Sequence, residues 1–293
     1  MTGEALVLQV MTGLSRAAVL FIVASGLSLV FGAMRIVNIA HGSFYMVGAF
    51  VAVTVAGWLG GVVGFVGALL VVPLVVAALG GLIEVGALRR LYGKEHLLQL
   101  LATFAFLLIV SDVVRFIYGE RPQSLRAPPL LSGATRFGDV FFPRYSLFLM
   151  AAAVVIGLGL WLLLSRTGLG RDIRAAVSDP EMLGMVGVNV SRLFTVVFAL
   201  GAGLAGLGGV LAGPQTTILL GMDIDIIVES FAVVIIGGLG SLVGTAVGAV
   251  LVGVTFALGI TFIPSAALAI VFVVMVAVLV WRPYGLFGIP QEA

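Results

Sequence analysis

Residues 62–88 read VVGFVGALLVVPLVVAALGGLIEVGAL, and the only charged residue among them is Glu84. A transmembrane helix needs about 20 consecutive apolar residues to cross roughly 30 Å of hydrocarbon. A helix that is apolar on every face has to be buried, either in a large core or in a membrane. This stretch therefore predicts a helix that spans a membrane.

Comparable apolar runs recur along the chain, at residues 6–31, 43–58, 97–116, 145–164, 193–213 and 265–281, and residues 224–263 are too long for one span. Of the 293 residues, 61% are hydrophobic and 10% are charged, and the mean hydropathy is +1.28. Soluble domains average roughly 45–50% apolar and about 25% charged residues. The sequence predicts an all-α polytopic transmembrane helical bundle of eight or nine helical segments, with broken helices, in a single domain over residues 1–293.

Several kinds of functional site lack the residues that they need. There is no cysteine, and the two histidines are far apart, so we expect no disulfide and no metal site. No basic tract indicates nucleic acid, and no cofactor is expected. The N-terminus has neither a basic region nor a cleavage site, so we expect no removable signal peptide.

The chain also lacks the motifs of an enzyme. No catalytic constellation is recognisable, and Gly93-Lys94 is followed by Glu95 where a phosphate-binding loop requires Ser or Thr. The upstream glycine of such a loop is missing as well. We therefore expect no catalytic activity in this chain, and any dependence on ATP has to come from a partner.

One polar island, SRTGLGRDIRAAVSDPEMLGMVGVNVSR, covers residues 165–192 between apolar runs. A first helix is predicted to begin at Asp172. Asp179-Pro180 predicts the start of a second helix, because proline is favoured in a first turn, and Gly187 ends it. Such a helix pair suits a groove in a partner protein, and the alternative is an amphipathic loop on the lipid surface. The surface of small side chains predicted on the first helix of the island consists of Ala175, Ala176 and Val177.

The distribution of Lys and Arg indicates which side of the membrane the island faces. Arg89, Arg90 and Lys94 directly follow the span at residues 62–88. Because successive spans cross the membrane in alternating directions, Arg35 and the island are predicted on the same side as these three residues. This side is predicted to be cytoplasmic, although the opposite connection, 118–144, also carries arginines. The C-terminus is cytoplasmic if GGLGS, residues 237–241, is a full turn, and external if it is a kink.

GAMRIVNIAHG, residues 32–42, interrupts the apolar pattern of the first half, and GGLGS interrupts that of the second. Irregular backbone at membrane depth is tolerated where protein or water satisfies its polar groups, and broken helices often line transport paths. The alternative is a short cytoplasmic turn with helix caps. The candidate residues of a translocation path are Asn38, His41, Gly42, Gly238, Gly240 and Ser241.

Acidic residues within membrane spans are costly and usually have a function or a partner. Glu84 is predicted to lie at the membrane interface near Arg89. Glu229 is predicted in the first turn of a helix, where it complements the helix dipole, with Asp223 and Asp225 in the loop before it. No span carries the series of buried acids expected of a proton-coupled pump.

Four segments resemble a known family: LSLVFGAMRIVNIAHGSFYMVGAF (27–50), RAAVSDPEMLGMVGVNVSRLFTVVFALGAGLAGLGGVLAG (174–213), VVIIGGLGSLVGTAVGAVLVG (233–253) and RPYGLFG (282–288). They resemble the membrane permeases of branched-chain amino-acid ABC transporters, of the LivH type. The resemblance covers nearly the whole chain. It implies a complex with ABC ATPase subunits, a second, LivM-like permease subunit and a periplasmic substrate-binding protein.

The resemblance makes the island the ATPase-coupling loop, in which the acidic residue of the family's motif is replaced by Arg174. The implied coupling residues are Arg171, Asp172, Arg174, Ala175, Ala176, Asp179 and Gly187. The expected function is import of a branched-chain or related small amino acid across the cell inner membrane, in contact with membrane lipid and a small-molecule substrate. Urea or short amides remain possible substrates. A stand-alone gradient-driven channel or secondary transporter, or a structural scaffold, remains the alternative.

Overall fold

The computed structural model describes residues 3–137 and 140–288. Eight helices in these residues are long and apolar enough to cross a membrane, the last one counted with the short 3-10 turn before it. This confirms the predicted polytopic helical bundle. The α-helices of the described residues are α1 (Gly3–Met34), α2 (His41–Leu59), α3 (Gly61–Gly86), α4 (His96–Tyr118), α5 (Arg144–Arg166), α6 (Gly168–Ser178), α7 (Pro180–Met185), α8 (Val190–Ala212), α9 (Met222–Gly237), α10 (Leu242–Phe262) and α11 (Ala267–Trp281).

The connection between α4 and α5 contains a small hairpin that the sequence did not predict. Strands β1 (Ala134–Phe137) and β2 (Val140–Pro143) pair antiparallel, with Ala134 opposite Pro143. Gln123 and Ile218 also exchange two backbone hydrogen bonds, of 2.7 and 3.0 Å. These bonds fix the connection to the segment between α8 and α9.

The helices pack closely at glycines. Hydrophobicity does not drive membrane helices together, because lipid tails are as apolar as the side chains, so close backbone contact stabilises the packing instead. α1 lies at the centre and contacts α5, α8, α9 and α10, while α8 also packs against α2 and α3. At Gly48 an added Cβ atom would lie 2.5 Å from the Cα atom of Gly206. Gly13 similarly approaches Val254, and Gly26 approaches Gly201.

Two predicted helix starts are wrong. α9 begins at Met222, so Asp223 and Asp225 lie in its first turn and Glu229 lies in its middle. The reason is Gly221, whose left-handed φ of 95° lets the chain turn directly into the helix. α6 begins at Gly168 rather than at Asp172, because the Thr167 side chain caps it by accepting a hydrogen bond from the backbone N–H of Gly170.

GGLGS forms a full turn between two antiparallel helices. Added Cβ atoms at Gly237 and Gly248 would meet Gly244 and Val233 respectively, which fixes α9 and α10 side by side. The backbone N–H of Leu286 donates to the Ile236 carbonyl oxygen at 2.9 Å. Residues 282–288 therefore lie on the same face of the bundle as the end of α9, which is also the face of the island; we call it the island face.

Candidate functional site

The break after α1 re-enters the bundle. α1 ends at Met34, but the Nε2 atom of His41 lies 2.9 Å from the carbonyl oxygen of Val23. Val23 precedes Met34 by eleven residues, which is roughly 16 Å along a helix that rises 1.5 Å per residue. Residues 35–40 thus return from the island face to mid-depth, and α2 starts inside the bundle. The alternative of a short cytoplasmic turn does not describe this path.

The re-entrant segment leaves buried polar atoms without partners. Asn38 and His41 are completely buried. A carbonyl only accepts, so His41 Nε2 is the donor to Val23, while Nδ1 has no partner among the described residues. Both amide atoms of Asn38 also lack one. Thr103 supports the segment by accepting from the N–H of Ile39 at 3.3 Å.

The starts of α2 and α9 meet at this depth. An added Cβ atom at Gly42 would meet the backbone carbonyl of Asp223, so only glycine allows this contact. The Asp223 side chain is completely buried, and its Oδ2 accepts a hydrogen bond of 2.7 Å from Ser111 on α4. Broken helices whose N-termini point into a bundle recur at transporter binding sites.

The structure does not bring the GGLGS residues to this point. Gly238 contacts Gly288 and Phe287 of the C-terminal segment, and Gly240 packs on Gly32 near the end of α1. Ser241 caps α10 by accepting from the N–H of Gly244 at 3.0 Å. These residues therefore form a tight turn at the island face, and their role in a translocation path stays a prediction.

We expect Asn38→Leu to raise thermal stability and to lower transport. Leu has the same branching as Asn, and the substitution removes two unpartnered buried polar atoms, each of which costs about 1–3 kcal/mol. The measurements are the unfolding temperature in detergent and uptake at matched expression. Thr103→Val, which removes a partnered hydroxyl at the same depth, is the control and is expected to lower stability. Unchanged uptake in Asn38→Leu would show that the amide has no part in transport.

The island has a buried side and an exposed side. Ile173, Ala176 and Leu183 are buried against the chain itself. Ala176 therefore does not contribute to the exposed small surface predicted from the sequence. Asp179 caps α7 by accepting from the N–H of Met182 at 2.9 Å, as its position before Pro180 predicts, and Gly187 follows α7 with φ 91°. Of the other predicted coupling residues, Arg171, Arg174 and Ala175 are exposed and Asp172 is half-buried.

The island is fixed to the ends of two spans. Arg174 donates a hydrogen bond to the carbonyl oxygen of Leu164 in α5. Arg35, the first residue after α1, donates from Nη2 to the carbonyl oxygen of Val177 at 3.2 Å. Arg35 has the left-handed φ of 54°, which is unusual for a residue with a Cβ atom. The island therefore contacts the residue at which the re-entrant segment begins.

Glu84 lies beside Arg89, as predicted, and its completely buried carboxylate holds a polar cluster at the island face. Its carboxylate accepts from Arg89 at 3.2 Å, from Thr195 of α8 at 2.7 Å and from the Tyr92 hydroxyl at 2.5 Å. Burial, with the hydrogen bond to Glu84, raises the pKa of Tyr92 well above its ordinary value, so the hydroxyl remains a donor. The cluster fixes α3 to α8 beside the island.

A cavity of about 720 Å³ lies in the half of the bundle away from the island. Its charged residues are Arg16, Asp225 and Glu229. Arg16 and Glu229 form an ion pair between α1 and α9. Glu229 therefore pairs across the bundle and does not cap a helix, which corrects the prediction from sequence.

Arg16 is the functional candidate that sequence reasoning missed. It is the only charged residue within the first apolar run, 6–31, and a charge inside a span is by default a functional hypothesis with a partner. That signal was present in the sequence. The identity of its partner was not, since Glu229 lies more than 200 residues away.

Eight candidate spans, a helix broken inside the bundle and a structured polar island together define a polytopic membrane protein of the transporter class. The family model described as "Branched-chain amino acid transport system / permease component" matches residues 9–279. The chain belongs to this family, and it is a permease subunit of an ABC importer.

Individual relatives cover nearly the whole chain. The high-affinity branched-chain amino acid transport system permease protein BraD of Pseudomonas aeruginosa is 28% identical over 97% of this chain and 96% of its own length. LivH of Escherichia coli strain K12, also named as a high-affinity branched-chain amino acid transport system permease protein, is 27% identical over 97% of this chain and 96% of its own length. The probable branched-chain amino acid transport permease protein LivH of Methanocaldococcus jannaschii is 30% identical over 92% of this chain and 89% of its length. No solved structure matches the chain significantly.

Proposed function

We propose that this permease subunit translocates branched-chain amino acids across the cell inner membrane, driven by separate ATPase subunits. The observation that carries the proposal is the island: its two helices are held to the bundle on one side and expose apolar residues on the other. The relatives named as branched-chain amino acid permeases support the substrate class. Urea or short amides would require the same fold and are the competing substrates.

The exposed side of the island has the composition of a docking surface. Met185 is 81% exposed, Val186 72% and Met182 59%. Methionines pack into irregular grooves because their side chains are flexible and polarisable, and Arg171 and Arg174 are exposed on the preceding helix, α6. We assign this surface, Met182, Met185 and Val186, to the ATPase subunit, and name it the docking surface. It faces the cytoplasm in this proposal.

Motion of the docking surface has a direct path to the broken helix. α7 leads back into α6, and α6 packs on the end of α1 through Ala176 around a cavity of about 210 Å³ that Arg35 and Ile36 also line. Arg35 bonds to Val177 and is followed by the re-entrant segment with Asn38 and His41. A displacement of α6 therefore acts on the segment that starts α2.

We expect Arg35→Gly to uncouple transport from ATP hydrolysis. Glycine adopts the left-handed φ of position 35 without strain, so the backbone stays as it is while the hydrogen bond to Val177 is lost. The complex should still contain its ATPase and hydrolyse ATP, with uptake per ATP reduced several-fold, since coupling free energies are typically about 1–3 kcal/mol. Arg90→Gly, an exposed arginine on the same face, is the control. Unchanged uptake per ATP in Arg35→Gly would contradict the path described here.

The proposed function is tested with the protein purified from native membranes in mild detergent and its partners identified. Co-purification of phosphate-loop ATPases and a second, LivM-like permease is expected, and a periplasmic binding protein should restore ATP-driven leucine uptake in proteoliposomes. Urea and acetamide are tested in parallel. Uptake of these compounds without leucine would replace the substrate class, and purification of the chain alone, under conditions that preserve a known ABC complex, would favour a gradient-driven channel or carrier.

A further inference from the structure

The cavity in the half of the bundle away from the island has the features of a ligand site. Its volume of about 720 Å³ falls in the range of roughly 300–1,000 Å³ that small-molecule sites occupy. Residues from α1, α5, α9, α10 and the segment between α8 and α9 line it. We propose that this cavity is a binding site within the permease for a zwitterionic amino acid with an aliphatic side chain. The proposal rests on the proposed function and deepens it.

The two charged ends of such a ligand have partners of both signs. Arg16 is the cation among the cavity residues that the structure describes, and Asp225 and Glu229 are the anions. Asp225 and Glu229 are four residues apart on α9, so they lie on one side of the helix. The ammonium group of the ligand would bind the two carboxylates, and its carboxylate would bind the guanidinium.

The ion pair between Arg16 and Glu229 leaves hydrogen-bonding capacity unused. Arg16 contributes Nη2 and Glu229 contributes Oε1 to the pair. Glu229 Oε2 and Arg16 Nε have no partner among the described residues, although both atoms are buried. A buried charged group with an unmade hydrogen bond is costly. The Arg16 side chain is 38% exposed and Asp225 is exposed, so both residues are accessible to the carboxylate and the ammonium group of a ligand.

The position of Arg16 is fixed before a ligand arrives. Its guanidinium carbon lies 3.8 Å from the centroid of the Phe256 ring, a cation–π contact that orients the plane of the donors. Gln215, on the segment between α8 and α9, is held in the cavity wall by Ser146 at 2.8 Å. The polar side of the cavity is thus largely preformed, which lowers the entropic cost of binding.

The rest of the wall suits an aliphatic side chain. Apolar groups from three helices and one connecting segment face the cavity: Val19, Leu20, Leu219, Met222, Ile226 and Ile260. Urea and short amides have no aliphatic side chain to contact this apolar wall and no charged groups to pair with Arg16, Asp225 and Glu229. A simple amine would match the two carboxylates but would bring no carboxylate to the Arg16 guanidinium.

The test uses the purified complex without its binding protein, so that binding to the external protein does not contribute, and the variants below assign the site to this chain. Leucine binding is measured by equilibrium binding and by thermal shift. 3-Methylbutylamine keeps only the ammonium end of leucine, and 4-methylpentanoate keeps only the carboxylate end. We expect saturable leucine binding, with both analogues at least about tenfold weaker, since loss of one hydrogen bond between charged groups corresponds to at least that factor. Equal binding of leucine and either analogue would overturn the proposal.

Variants locate the binding. Glu229→Gln should weaken leucine binding at least about tenfold, whereas Glu120→Gln, an exposed acid outside the cavity, should leave it unchanged. Because Glu229→Gln also breaks the ion pair, Asp225→Asn is the second variant: Asp225 is exposed, and its loss should weaken binding without affecting folding. Wild-type affinity in both variants would overturn the proposal.

Different results would refute the cavity site and the proposed function. If the complete transporter imports leucine but the complex without binding protein binds none, the cavity site is refuted and the proposed function stands. If the complex binds leucine in the manner described but never transports it, the cavity site stands and the proposed function is refuted.

Discussion

Gly48→Leu is expected to leave no folded protein in a detergent extract. A Cβ atom at position 48 would lie 2.5 Å from the Cα atom of Gly206 and 2.8 Å from its carbonyl carbon. These atoms belong to the backbone of α8, so no side chain can move aside. Overpacking typically costs about 1–3 kcal/mol, and a backbone obstruction between two central helices should exceed that range. The measurement is the monodisperse fraction by fluorescence-detected size-exclusion chromatography.

Gly57→Leu is the matched control for this variant. Gly57 lies on the same helix, α2, and nothing lies within 4 Å of an added Cβ atom there. The substitution also replaces a poor helix former by a good one, which is worth up to about 1 kcal/mol. We expect wild-type or higher yield. If Gly48→Leu behaved like its control, α2 and α8 would not be in contact as the structure has them.

Met185→Asp is expected to abolish ATP-driven uptake while the protein remains inserted and folded. Met185 is 81% exposed on the docking surface and contributes nothing to the buried side of the island. Burying an unpaired carboxylate in an apolar interface costs several kcal/mol, so the ATPase retained on purification should fall more than about tenfold. Co-purified ATPase, membrane yield and uptake are measured on the same preparation.

Leu130→Asp is the control, because Leu130 is 78% exposed and lies in the connection between α4 and α5, away from the island. It should retain the ATPase in full. If Met185→Asp bound a normal amount of ATPase, the docking surface would not be the contact with the ATPase. The proposed function would then lose the observation that carries it.

Ala176 would be the wrong position for this experiment. The pattern RAAV in the island suggests Ala175 and Ala176 equally as contact residues, but Ala176 is only 3% exposed and packs against the end of α1. A charge there would damage the island itself, so loss of transport would say nothing about a partner. Sequence alone does not reveal which side of a short helix faces its own protein.

The apolar runs determined most of the fold. Residues 62–88 and the comparable runs predicted the spans to within a few residues, because crossing hydrocarbon requires every backbone group to be paired within a long apolar helix. The interruption at 32–42, the full turn as one reading of GGLGS, and the Asp179-Pro180 start of α7 were also visible as local patterns. Local chemistry was sufficient for these features.

Only the tertiary structure decided which residues meet. The depth of His41 depends on the path of residues 35–40 through neighbouring helices, and the partner of Glu229 is an arginine on α1 that no local pattern relates to it. Asp223 and Gly42 likewise meet across the bundle. Hydrophobic patterning specifies that a segment spans the membrane, but the rotation and depth of each helix follow from close glycine packing between segments distant in sequence. The cavity and the buried polar atoms exist only because of that packing.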